Sequence, residues 1–151
     1  QHGLDTAAGL PDDLGMKHPI GVCSDQGDCR VSLGMGFDPD GAMRMTSPPA
    51  EGSIVHILGA ETQGLIDAGR RAVRSAQARM GSSAASGALI IDCMSTAMLL
   101  EDAWHQQRAA AQGELGDLPF LGFRSHGVLA RLHGQVSGHY ECSVGACLLP
   151  G

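Results

Sequence analysis

Two short stretches of the chain gather side chains that can bind or react. Asp92-Cys93-Met94-Ser95 closes an apolar run and opens a helical pattern. A helix N-terminus there favours anions and lowers a thiol pKa, so the residue types suit a bound ligand carboxylate or a reactive Cys93. The plainer reading is a buried strand-end cysteine with Ser95 or Thr96 as the helix cap. Arg124-Ser125-His126-Gly127 follows the next apolar run. If the two runs are neighbouring parallel strands, their ends converge, and ligands of α/β sheets bind outside such ends. Cys93, Ser95, Arg124, Ser125 and His126 are therefore the candidate ligand-binding residues. Arg124 matches a ligand carboxylate with its planar fork, and Ser95 and the helix N-terminus supply neutral donors. Cys93 and His126 also make a conceivable nucleophile and base. No oxyanion-hole or orienting-group spacing accompanies them. The expectation is a non-catalytic domain, with a thiol-dependent enzyme using Cys93 as a further alternative.

Histidine and cysteine supply the remaining chemistry. The chain has seven histidines, but no H-x-x-x-H or C-x-x-C spacing that would gather metal ligands. His56 lies in Ile54-Val55-His56-Ile57-Leu58 and shares a strand face with Ile54 and Leu58, which predicts a core histidine. His133 and His139 flank a Gly-rich segment that reads as a hairpin loop. They are the candidate axial ligands if the cofactor is haem; otherwise no cofactor is expected. Five cysteines make an odd number. Cys23 and Cys29 flank one turn and can face each other. A chain of this length needs no staples, so free thiols are the expectation. Cys142 and Cys147 would point to opposite faces of a strand and chelate poorly.

Composition narrows the classes. The chain has 151 residues, one domain's worth, with a formal net charge of −6. An acidic surplus argues against a nucleic-acid binder. No apolar run is long enough to span a membrane, and the first residues lack a signal-peptide pattern, so a cytoplasmic location is expected. There are 22 glycines and only five aromatic residues, so aliphatic side chains, alanine and methionine must fill the core. The sequence starts at Gln1 without an initiator methionine, which suggests a segment of a longer protein.

The elements that must position these groups follow from periodicity and turn residues. Residues 1–17 read as a loose lead-in and 18–151 as one domain. Strands are predicted at 18–23 and 29–33 around a turn at 24–28, then at 42–45 after Phe37-Asp38-Pro39-Asp40-Gly41, and at 53–58. A helix over 63–80 follows Thr62, with Leu65, Ile66, Gly69, Ala72, Val73, Ala76 and Met80 on one face. Arg70, Arg71, Arg74 and Arg79 lie elsewhere on the wheel and read as a solvated face. Residues 87–93 form a continuous apolar run, the mark of a buried central strand. A helix over 96–113 and strands at 118–123, 128–131 and 143–149 complete the order. A β-α-β-α-β core with flanking hairpins predicts an α+β fold, a mixed and largely antiparallel sheet with two helices on one face. Its exposed sheet edge would encourage homodimer formation.

The chain resembles the C-terminal FIST domain, named for F-box and intracellular signal transduction proteins. The resemblance rests on an ordered series over residues 18–149: His18-Pro19-Ile20-Gly21-Val22, Arg30-Val31, Pro49-Ala50-Glu51-Gly52-Ser53, the 87–93 strand, and Leu118-Pro119-Phe120-Leu121-Gly122-Phe123-Arg124-Ser125-His126-Gly127. It departs from the family pattern in three places. Met94-Ser95-Thr96 lacks the arginine that usually follows the central cysteine, Val128 stands where a glutamate is common, and Tyr140 stands after His139 in place of an asparagine. The resemblance implies a bacterial sensory domain that binds a small molecule, amino acids and other carboxylates among the candidates. It also implies an attached signalling output, with a FIST N-terminal domain as neighbour. Some members sense nitric oxide through haem, which makes a haem-binding sensor the alternative function.

Overall fold

The computed structural model describes residues 14–23, 29–130 and 138–151. The predicted turn at 24–28, the segment around His133, and residues 1–13 lie outside the described residues. The chain divides into two compact units, Gln1–Ala60 and Glu61–Gly151.

The first unit is built from short strands. The helical turn α1 (Leu14–Lys17) precedes β1 (Ile20–Cys23), β2 (Cys29–Ser32), β3 (Gly34–Phe37), β4 (Met43–Met45) and β5 (His56–Ile57). Residues 14–17 are thus helical, contrary to the expected loose lead-in. Gly15 lies against the backbone of Gly34, where a β-carbon would come within 2.6 Å, so this approach requires glycine. The strands β2-β1-β5 form an antiparallel sheet and β3-β4 a separate hairpin. The hairpin turn follows from its residues. Gly41 takes a positive φ of 86°, and Asp40 accepts a hydrogen bond from the Ala42 N–H.

Two further expectations fail in this unit. Cys23 and Cys29 form a disulfide rather than remaining free thiols. The register pairs them directly across β1 and β2, which brings the two side chains face to face. His56 is exposed rather than a core residue, and Ile54 beside it is 80% exposed. The β5 pairing covers only two residues, too short to bury one face.

The second unit holds the helices. In order these are α2 (Thr62–Met80), β6 (Ala85–Cys93), α3 (Met94–Leu100), a 3-10 turn (Glu101–Ala103), α4 (Trp104–Leu115), β7 (Phe120–Ser125), β8 (Val128–Ala130), β9 (Gly138–Tyr140) and β10 (Val144–Pro150). The sheet order is β10-β6-β7, with β6 and β7 parallel and β10 antiparallel to β6. The apolar 87–93 run is its central strand, as expected. The β8–β9 hairpin is separate, so the described strands form four small sheets rather than one. The fold is nonetheless α+β and largely antiparallel. The single predicted 96–113 helix is broken. Glu101 adopts a φ of 48°, which ends α3, and the 3-10 turn redirects the chain into α4.

Val73 of α2 and Ala111 and Leu115 of α4 pack on Ala88 and Ile90 of β6. Strand alternation brings Phe120, Val144, Ala146 and Leu148 to this cluster, while Leu121 and Phe123 are exposed. The core is therefore aliphatic with alanine, as the composition required; the methionines Met94 and Met98 are exposed instead. The α2 arginines are not simply solvated. Arg74 grips Glu114 of α4 with two hydrogen bonds of 2.9 and 2.8 Å, and Gln77 donates to the Glu114 carbonyl. Helices α2 and α4 pack closely at Gly69, where a β-carbon would lie 2.9 Å from the Gln107 carbonyl oxygen. Gly69→Ala is expected to destabilise the protein by about 1 kcal/mol. The overpacking outweighs alanine's better helix propensity. A higher midpoint in urea would show that the helices part without cost.

Candidate functional site

The strand ends converge as their order implied. In the parallel pairing of β6 and β7, Asp92 lies opposite Arg124 and Cys93 opposite Ser125. Alternation then separates these groups by face. Asp92 and Arg124 share the face that packs on α2 and α4, two residues beyond Ile90 and Gly122, while Cys93 and Ser125 belong to the other. The five candidate residues are consequently not one cluster.

Arg124 enters a cavity of about 380 Å³ on the helix-covered face. Ile90, Phe120, Ala111 and Val144 give it apolar walls; Asp92, Arg124, Trp104, Gln107 and Arg108 supply its polar and aromatic groups. The Arg124 guanidinium carbon lies 4.3 Å from the Trp104 ring centroid, a close cation–π contact, and that of Arg108 lies 6.0 Å away. Trp104 occupies the first position of α4, so the break at Glu101 sets its place above β7. Gln107 is buried and donates to the Leu65 carbonyl at 2.7 Å, which holds α2 against α4 beside the cavity.

Asp92 is the unusual group. Its Oδ2 is 3.8 Å from Arg124 Nε, a charge contact too long for a hydrogen bond, and its Oδ1 is buried with no partner. Burial pushes its carboxyl up to about 6, only partly offset by the Arg124 charge and the backbone at Cys93.

Cys93 and Ser95 sit elsewhere. Cys93 itself is the N-cap of α3, and Ser95 is buried rather than capping. Ser95 Oγ lies 2.9 Å from Cys93 Sγ and accepts the Cys142 N–H at 3.2 Å. This knot ties α3 to the segment after β9. Burial also pushes the Cys142 thiol up to about 11, which keeps it protonated. Thr96 next to it is 0% exposed and its Oγ1 has no partner. Thr96→Val keeps the shape and removes the orphaned hydroxyl. It is expected to raise stability by about 1 kcal/mol, read from the thermal midpoint.

Ser125 Oγ donates to the Gly127 carbonyl, and His126 is exposed. His139 Nε2 stands 3.2 Å from the His126 carbonyl oxygen and presses on Gly127, whose φ is 130°. An iron taking that nitrogen would have to displace the contact. His133 lies outside the described residues. No group of three metal-ligating side chains occurs among the described residues.

Sequence reasoning found Arg124 but passed over Asp92 and Trp104 as site residues. The signal for Asp92 was present. It follows Ile90 by two residues, so it had to face the same way as a core side chain.

No helix among the described residues is long and apolar enough to cross a membrane. The family model described as the FIST C domain matches residues 4–131. No curated protein and no solved structure matches the chain.

Proposed function

The chain belongs to the FIST C domain family, sensory domains of signal-transduction proteins, and on that premise we propose that it binds a small carboxylate ligand between Asp92, Trp104 and Arg124. The supporting observation is Arg124, whose guanidinium carbon lies 4.3 Å from the Trp104 ring centroid at a partly apolar cavity. The cation–π contact anchors the guanidinium, and its fork of donors suits a planar anion. Ile90, Phe120 and Val144 would take the ligand's apolar portion, and an amino acid or other organic acid is of suitable size. The domain is non-catalytic in this reading, and binding biases an attached signalling output in a cytoplasmic bacterial protein. Cys93, the residue a thiol enzyme would use, is buried against Ser95 and does not line the cavity.

Trp104 is the chain's single tryptophan, so intrinsic fluorescence reads this site directly. Titration with acetate, butyrate, succinate, benzoate and amino acids is expected to give a saturable change for at least one of them. A flat response to all of them overturns the proposal.

A further inference from the structure

Asp92 and Arg124 face the same cavity from adjacent positions on parallel strands, so a carboxylate held by Arg124 must also approach Asp92. We infer that a carboxylate enters this cavity together with one proton, which settles on Asp92 and lets that side chain donate a hydrogen bond to the ligand. The inference rests on the carboxylate reading of the site and adds its ionic bookkeeping.

The charged groups around Asp92 decide the matter. From β7 it meets Arg124, and from α4 Arg108 reaches the cavity wall; α2 contributes only Gly69 there and β10 only Val144. Two cations and one carboxylate line the cavity, and of the two cations Arg124 is the one whose charge acts on Asp92. A ligand anion on Arg124 would compete with Asp92 for the one guanidinium in contact with it. Two carboxylates sharing one partly buried site do not both stay ionised, because their repulsion is strong where water is scarce. The orphaned Oδ1 identifies which one accepts the proton. It is buried and has no donor, so protonation removes a poorly compensated charge from the carboxyl. The proton settles on Oδ2, the oxygen turned towards Arg124, where the O–H can meet the ligand. The raised carboxyl of Asp92 makes that proton uptake cheap near neutral pH. No covalent bond changes; solvent supplies the proton, and the ligand remains an anion on Arg124.

The experiment is a benzoate, butyrate and acetate titration followed by Trp104 fluorescence from pH 5.5 to 8, on the whole chain and on Asp92→Asn. Affinity of the native protein is expected to fall about tenfold per pH unit above the Asp92 titration. Asp92→Asn carries a permanent donor, so its affinity should be flat over this range and higher than native at pH 8. Calorimetry of the native protein in HEPES and in Tris provides a second measurement. The two heats should differ by the uptake of one proton per ligand. Binding that is independent of pH and buffer overturns the proton coupling and leaves the carboxylate site standing. Binding by neither protein at any pH overturns both readings.

Discussion

Arg124→Ala is expected to weaken carboxylate binding by about 30- to 100-fold, the worth of a charge-assisted, two-point contact in a partly dry cavity. The substitution removes the cation facing the apolar walls and uncovers the Trp104 ring, so both affinity and tryptophan emission should change. Arg124→Lys separates charge from shape. It retains a positive group but has no planar fork to meet a carboxylate. An intermediate loss, about tenfold, is the expected result. The fold should tolerate both variants. The Arg124 side chain is 34% exposed, and its contact with Asp92 is a long one at 3.8 Å. Equal affinity in the native protein and Arg124→Ala would move the ligand away from this cavity. Loss in Arg124→Ala with full affinity in Arg124→Lys would show that charge alone is read.

The sequence made some of this arrangement legible and hid the rest, for identifiable reasons. The 87–93 run announced a central strand because it lies between two strands and its Ala88 and Ile90 pack against apolar side chains of α2 and α4. Helix α2 was equally clear, since Ile66, Gly69 and Val73 repeat at helical spacing and all are buried. Local turn chemistry at Asp38–Ala42 likewise carries its own hydrogen bonds. The long second helix misled because Glu101 has no local signal for a positive φ; its conformation is imposed by the turn into α4. That break is what puts Trp104 over Arg124, so the site depends on a feature periodicity does not encode. The site residues also divided by parity. Grouping Cys93 with Arg124 by proximity at the strand ends ignored alternation, which sends Arg124 to the cavity and Cys93 to the Ser95 knot. The disulfide at Cys23 and Cys29 was open as a geometric possibility, and the register settled it.

Asp92 should make the protein's stability depend on pH in the direction opposite to most carboxylates. Its folded-state carboxyl is raised from an ordinary value of 3.8 to about 6, mainly by burial. Between these values the unfolded chain has already released the proton while the folded chain still holds it. Raising the pH through that interval therefore favours unfolding, and the loss is complete above about pH 6. A shift of this size corresponds to roughly 2–3 kcal/mol, because each pKa unit is worth about 1.4 kcal/mol. Other groups act the opposite way; Glu114, hydrogen-bonded by Arg74, is held below its ordinary range. The difference between native protein and Asp92→Asn isolates the single group. Asparagine keeps the shape and never ionises, and the Arg124 contact it gives up is long and one-third exposed. Urea denaturation should find Asp92→Asn more stable by about 2 kcal/mol at pH 7, with the gap closing as the pH falls to 4. A gap of constant size would assign the effect to packing or to the hydrogen bonds of the amide. A native protein more stable than Asp92→Asn at pH 7 would mean that the Arg124 charge outweighs burial, and the low-pH form of the cavity would then lose its orphaned acceptor as the reason for taking a proton.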